Sequence, residues 1–541
     1  MTSPRQQPSD STGSTGAPRR RGPGARRAAR VALVAGLAVA ALTLSGCVTA
    51  FLPPKAAEPT TSSSSPATSD VDAELKPFYE QKLDWKTSGC ADGFECATAK
   101  APIDWDNPSD GELSLALVRH RATNGKPIGS LFMNPGGPGG SGYSLVADSL
   151  DFAVDKDLQE NFDVVGFDPR GVGKSTPVKC LTDSEMDAYL YDVTPGKRGS
   201  DEWIAANEKA AKDFGDACAE ETGKMLEFVD TQSAAKDLDM LRAAVGDKQL
   251  YYLGYSYGTF LGATYAELFP KNVGRLVLDG AIDPSTSNFE VVKEQAKGFE
   301  SALRAYLEDC MTGKDCPFSG SVDSAMTEIK TLLDEVDANP IPGDDGRELG
   351  GNTLLTAIIY PLYQADAWPY LSQMFDEVMQ GGTDIAFQFA DGYNGRNESG
   401  KYADNQTEAF NAINCLDYSY DDDKTKMADE AKQLEEAAPV IGEYMAYGDT
   451  FCANWPYQTR TERGEIHAKG AAPILVVGTT NDPATPYVWA QNLAEQLDKG
   501  QLITYKGEGH TGYNKGSDCV NQAVDQYLID GTVPSKDPMC S

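Results

Sequence analysis

The sequence predicts an α/β protein: a mostly parallel central sheet with helices on both faces, interrupted by an inserted, mainly helical cap. Three observations predict it. From about Glu74, short apolar runs alternate with longer helical stretches, the order that builds strands and helices into layers. The later runs, such as Ile474 to Val477, are apolar nearly throughout, as a strand covered on both faces requires. Between about Pro284 and Glu465 the strand signal fades into long helical stretches, Asn288 to Asp309 and Val322 to Val336 among them.

Taken in order, the chain starts with a segment that is not fold. Seven arginines, from Arg5 to Arg30, precede an apolar run from Val31 to Leu44. That run is too short to span a bilayer but suits the core of an export signal. It ends in Leu44-Ser45-Gly46-Cys47, which resembles a bacterial lipobox, with Cys47 as the lipidated first residue of the mature chain. Residues 1–46 are therefore read as a lipoprotein signal peptide, and residues 47–73, rich in Pro, Ser and Thr, as a tether. The expected location is the outer face of the cell membrane, with membrane contact only through the lipid anchor. No other apolar run reaches membrane-spanning length.

Residues 74–284 form the first part of the core, 285–465 the cap, and 466–541 the returning part of the core. Strands are expected at Leu113 to Arg119, Gly129 to Met133, Phe162 to Phe167, Leu250 to Leu253, Arg275 to Leu278, Ile474 to Val477 and Leu502 to Tyr505. The 541 residues are 40% hydrophobic and 24% charged, with a formal charge of -34. Removal of seven arginines and Asp10 with the signal leaves 40 basic against 80 acidic residues, or -40. A field of that sign repels phosphate backbones, so nucleic-acid binding is excluded as a function class. The body is expected to work as a monomer.

The chemistry is carried by residues at the ends of these strands. Gly254-Tyr255-Ser256-Tyr257-Gly258 follows one strand and opens a helical pattern from Thr259 to Phe269. G-x-S-x-G between strand and helix is a nucleophile elbow, with Ser256 exposed on a tight turn. Of only three histidines, His510 lies in the glycine-flanked loop after the last strand and is the expected general base; His120 and His467 read as structural or surface residues. The orienting acid should lie between serine and histidine. Asp482, after Ile474 to Val477, fits best, with Asp279 as a competitor that alternatively braces the loop. Thr485-Pro486 then reads as a helix N-cap with proline at the first helical position. Asn134-Pro135-Gly136-Gly137-Pro138-Gly139-Gly140 supplies backbone donors for an oxyanion, the expected pair being the N–H groups of Gly137 and Tyr257. No Walker motif and no zinc-spaced Cys/His set occurs, so no cofactor and no metal is expected.

Together, Pro135-Gly136-Gly137-Pro138-Gly139, Phe167-Asp168-Pro169-Arg170-Gly171-Val172-Gly173-Lys174-Ser175 and Gly254-Tyr255-Ser256-Tyr257-Gly258 resemble the prolyl aminopeptidase family of α/β hydrolases. The Asp482-Pro483 loop, the cysteines and the export signal are more similar to its secreted actinobacterial tripeptidyl aminopeptidase branch. The resemblance covers roughly Leu83 to the C-terminus. It departs at Asn134-Pro135, where the prolyl enzymes more often carry histidine. It implies an α/β-hydrolase fold and a short peptide substrate with a free N-terminus, whose ammonium needs an anion. Asp417 is the candidate for that role. Asp168 and Arg170 are expected to pair and brace the active-site loop.

Eleven cysteines in an exported chain are read as disulfides plus one. Pairing sequence neighbours gives Cys90–Cys96, Cys180–Cys218, Cys310–Cys316, Cys415–Cys452 and Cys519–Cys540, with Cys47 left for lipid. Because the triad does not distinguish ester from amide, a carboxylesterase or lipase acting on envelope esters is the alternative. A non-catalytic solute-binding lipoprotein is the third reading, disfavoured because a binding protein needs no triad.

Overall fold

The computed structural model describes residues 71–541. The signal segment, Cys47 and most of the tether lie outside the described residues.

Nine strands form one sheet: β1 (Glu95–Pro102), β2 (Glu112–His120), β3 (Ser130–Asn134), β4 (Asp163–Phe167), β5 (Leu250–Tyr255), β6 (Val273–Asp279), β9 (Ile474–Asn481), β10 (Gly500–Glu508) and β11 (Met539–Cys540). The two remaining strands, β7 (Ile341–Pro342) and β8 (Glu348–Leu349), pair as a small hairpin elsewhere. The sheet order is β1-β2-β4-β3-β5-β6-β9-β10-β11. β1 and β2 run antiparallel to each other, as do β2 and β4, and every later neighbour is parallel.

The central strands are apolar throughout because alternate residues feed two cores, one on each face. In β9, Ile474 and Val476 join the larger cluster with Tyr252, Leu276 and Leu278. Leu475 and Val477 join the opposite one with Leu131, Leu253 and Val277. β1, like the two-residue β11, is a strand that the sequence pattern hides. Its inward positions are Ala97, Ala99 and Ala101, and alanine carries little strand signal.

The chain leaves the sheet after β6 and returns at β9. Between them lie long helices, including Asn288–Cys310, Val322–Ala338, Gly351–Leu362 and Gln406–Asp417. The first starts at a capping box, Ser287 with Glu290, where the sequence places it. The first three, with Trp368–Met379, build their own apolar cluster around Leu303, Tyr306, Ile329, Leu354, Ile358 and Phe375, whereas Gln406–Asp417 packs Ala409, Ala412, Ile413 and Leu416 into the larger cluster of the sheet. Tyr191, from the helix Asp183–Tyr191 that follows β4, also joins the cap cluster.

All five disulfides link the neighbouring cysteines: Cys90–Cys96, Cys180–Cys218, Cys310–Cys316, Cys415–Cys452 and Cys519–Cys540. The last ties β11 to the helix Asp518–Asp530.

Candidate active site

Ser256 sits between β5 and the helix Tyr257–Leu268, with φ +54° and ψ −124°. A non-glycine residue is strained there, and such strain marks a residue held for function. The turn closes only with glycine on both sides. A Cβ on Gly254 would lie 2.5 Å from the Gly258 carbonyl, and one on Gly258 would lie 2.8 Å from the Asn134 carbonyl. The turn also sets Ser256 at a helix N-terminus, where free N–H groups favour negative charge.

The histidine and acid come from the ends of β10 and β9. Nδ1 of His510 lies 2.9 Å from both carboxylate oxygens of Asp482. Asp482 is almost fully buried and also accepts the N–H groups of Ala484 (3.0 Å), Thr485 (2.8 Å) and Thr511 (3.1 Å). With Nδ1 so engaged, Nε2 is left as the base. Among the described residues, the Ser256 hydroxyl forms no hydrogen bond to His510.

Thr485 corrects one expectation. The following helix is Tyr487–Gln496 and no side chain caps it. The hydroxyl of Thr485 instead donates to Asp482 (2.8 Å) and lies 3.2 Å from His510 Nδ1. It helps hold the acid. The cap reaches the same histidine: the Tyr363 carbonyl accepts the His510 N–H at 2.9 Å, and the two rings meet edge to face, 5.4 Å between centroids. Nothing in the sequence around Tyr363 announces this contact.

Opposite lies the glycine loop after β3. A Cβ on Gly136 would lie 2.8 Å from Cβ of Ser256 and 2.9 Å from the Tyr257 nitrogen. The loop is thus pressed against the elbow. The Gly136 N–H is taken by the Asn134 side chain at 2.9 Å, which leaves the Gly137 and Tyr257 N–H groups as the candidate oxyanion donors.

Two expected roles change. Asp168 and Arg170 do not pair. Asp168 accepts the Ser141 hydroxyl (2.6 Å) and the N–H groups of Tyr143 (3.0 Å) and Lys174 (2.7 Å), tying the end of the oxyanion loop to the 170–175 turn. Arg170 is fully buried against Asp237 at 2.6 and 2.7 Å, because Asp237 is the carboxylate on the helix facing it. Asp417, expected to hold a substrate ammonium, is only 4% exposed. Its oxygens accept the backbone N–H (2.9 Å) and the hydroxyl (2.6 Å) of Thr231, and that hydroxyl also meets the Tyr257 phenol. Burial pushes the Asp417 carboxyl up to about 7. It ties a cap helix to the core beneath the elbow, and Thr231 already occupies both of its oxygens.

Asp279 does not take the place of Asp482. It contacts the chain beyond His510, at the N–H groups of Gly512 and Tyr513. His120 lies beside Phe94, and His467 is bound to the Gln496 carbonyl at 2.8 Å. Neither touches Asp482.

Comparison with known proteins adds to this geometry. A family model described as TAP-like protein matches residues 438–540. The chain is 36% identical over 531 residues to a Mycobacterium tuberculosis protein named serine protease Hip1, covering 95% of this chain and 98% of that one. It is 37% identical over 453 residues to carboxylesterase B of the same species, covering 82% and 86%. It is 30% identical over 455 residues to the tripeptidyl aminopeptidase of Streptomyces lividans, covering 83% and 84%.

Proposed function

The chain belongs to the TAP-like family of α/β hydrolases, and from that premise we propose that it is an exported aminopeptidase releasing short N-terminal fragments from peptides. The observation that carries the proposal is the Asp482–His510 pair set at the strand ends beside the strained Ser256 elbow. It supports a serine mechanism. Ser256 Oγ attacks the acyl carbon while His510 Nε2 takes its proton. Asp482 steadies the imidazolium, and the N–H groups of Gly137 and Tyr257 receive the oxyanion. His510 then gives its proton to the leaving amine. Water, deprotonated by His510, attacks the acyl enzyme, and the returning proton frees Ser256.

The peptide assignment draws on the relatives named serine protease and tripeptidyl aminopeptidase. Anchorage through lipid on Cys47, facing outward, completes the proposal and fits the five disulfides. The second reading, a carboxylesterase, is favoured by the relative of that name.

One assay separates them. Free and N-acetylated tripeptide anilides are compared with p-nitrophenyl esters on wild-type protein and Ser256→Ala. Rapid cleavage of the free tripeptide alone supports the aminopeptidase. Equal cleavage of free and blocked peptides rejects it, and ester cleavage without anilide cleavage selects the esterase. Ser256→Ala should lose all of these activities.

A further inference from the structure

Among the buried acids that the reaction as written leaves unused, one lies between its catalytic segments. Asp279 ends β6 and is completely buried, and among the described residues no Lys or Arg forms an ion pair with it. Its oxygens accept two backbone N–H groups, from Gly512 (2.9 and 3.1 Å) and Tyr513 (2.7 Å). Its own carbonyl accepts the Ser256 N–H at 2.9 Å. One residue therefore grips the elbow that carries the nucleophile and the chain two residues beyond the base. Burying a carboxylate without a counter-charge is costly. Burial pushes this carboxyl up to about 6. A neutral side chain would fill the place at lower cost, so the two segments it joins are the reason for the charge.

We propose that Asp279 is a positioning residue that holds the His510 loop against the Ser256 elbow, and that it does so only when ionised. An ionised carboxylate presents acceptors to both N–H groups. Once protonated, one of its two oxygens turns a donor toward an N–H, and the loop loosens. The charged and titratable groups around it are Asp482 from the β9 end, which disfavours its charge, and His510 from its own loop, which favours it. Lys515, further along that loop, and Tyr255 on β5 also feel its field. Protonation of Asp279 grows as pH falls through about 6. Activity is then lost as Asp279 takes up its proton.

This role concerns the triad and not the substrate, so it stands or falls apart from the peptide proposal. The test uses a p-nitrophenyl ester, with kcat and KM followed against pH for the wild type and Asp279→Asn. In the wild type, kcat should fall more steeply below about pH 6 than in the variant. Asp279→Asn should lower kcat at pH 7.5 by roughly 10- to 100-fold with KM nearly unchanged, the effect of a displaced catalytic group. Its acid limb should be shallower than that of the wild type. Wild-type kcat in the variant overturns the proposal. So does an acid limb of equal steepness in the two proteins, or, where the variant does not fold, a wild-type kcat unchanged from pH 7.5 to 5.5.

Discussion

The sheet and the cap place their residues by different means. In the sheet, backbone ladders and two apolar cores fix every strand, so a residue at a strand end is placed by the main chain. Ser256, Asp279, Asp482 and His510 all stand at or just beyond such ends. In the cap, helices meet through side chains. Arg347 and Arg396 share Asp391, and Arg396 also grips Asp187 on the helix Asp183–Tyr191. The cap touches the catalytic segments at a few polar points: Tyr363 on His510, Ser301 on Asn481 (2.7 Å), and Gln295 on the Ala484 carbonyl (2.8 Å). The candidate catalytic geometry is thus kept where the backbone dictates it, and the cap adds a few side-chain and carbonyl contacts to it.

The largest break in this comparison should come from one atom change in the core. Asp482→Asn keeps the shape but removes the acceptor that selects the His510 tautomer. A loss of about 10⁴-fold in kcat is expected, measured on a p-nitrophenyl ester, with an unchanged far-ultraviolet spectrum. A loss under tenfold would move the acid's role to Asp279.

The same difference explains what the sequence discloses. Apolar runs bounded by glycine reveal β3, β5, β6 and β9, and with them the candidate elbow, acid and histidine. The cysteine pairs are sequence neighbours and could be guessed. The partners of Asp168, Arg170, Thr485 and Asp417 could not. Arg170 meets Asp237 across 67 positions and Asp417 meets Thr231 across 186. No local periodicity records which of many acids faces which donor. Tyr363 is hidden for the same reason: its contact is a main-chain carbonyl, which any residue supplies.

The next effect tests the core's buried chemistry. Arg170 and Asp237 are both fully buried. Arg170 also donates to the carbonyls of Pro102, Ile103 and Phe228, and Trp105 donates to Asp237 at 3.1 Å. Arg170→Ala strands a carboxylate that burial already drives toward its neutral form. A cost of about 3–5 kcal/mol is expected in urea unfolding. A cost below 1 kcal/mol would show that water reaches Asp237.

The smallest effect belongs to the cap. Arg396 binds Asp187 with two nitrogens, at 2.7 and 2.9 Å, and Asp391 at 3.3 Å. Its partners keep other donors when it is replaced: the Tyr402 hydroxyl stays on Asp187 at 2.7 Å, and Arg347 stays on Asp391 at 2.5 Å. The Asp187 side chain is 28% exposed and Asp391 is 17% exposed, so water takes up much of what is lost. Arg396→Gln should therefore cost about 1 kcal/mol, above a surface pair and well below a buried one. Fluorophosphonate labelling of Ser256 should proceed at the wild-type rate, because no strand end moves. A loss equal to that of Arg170→Ala, or a slowed labelling reaction, would mean that the seam between cap and core positions the triad as firmly as the sheet does.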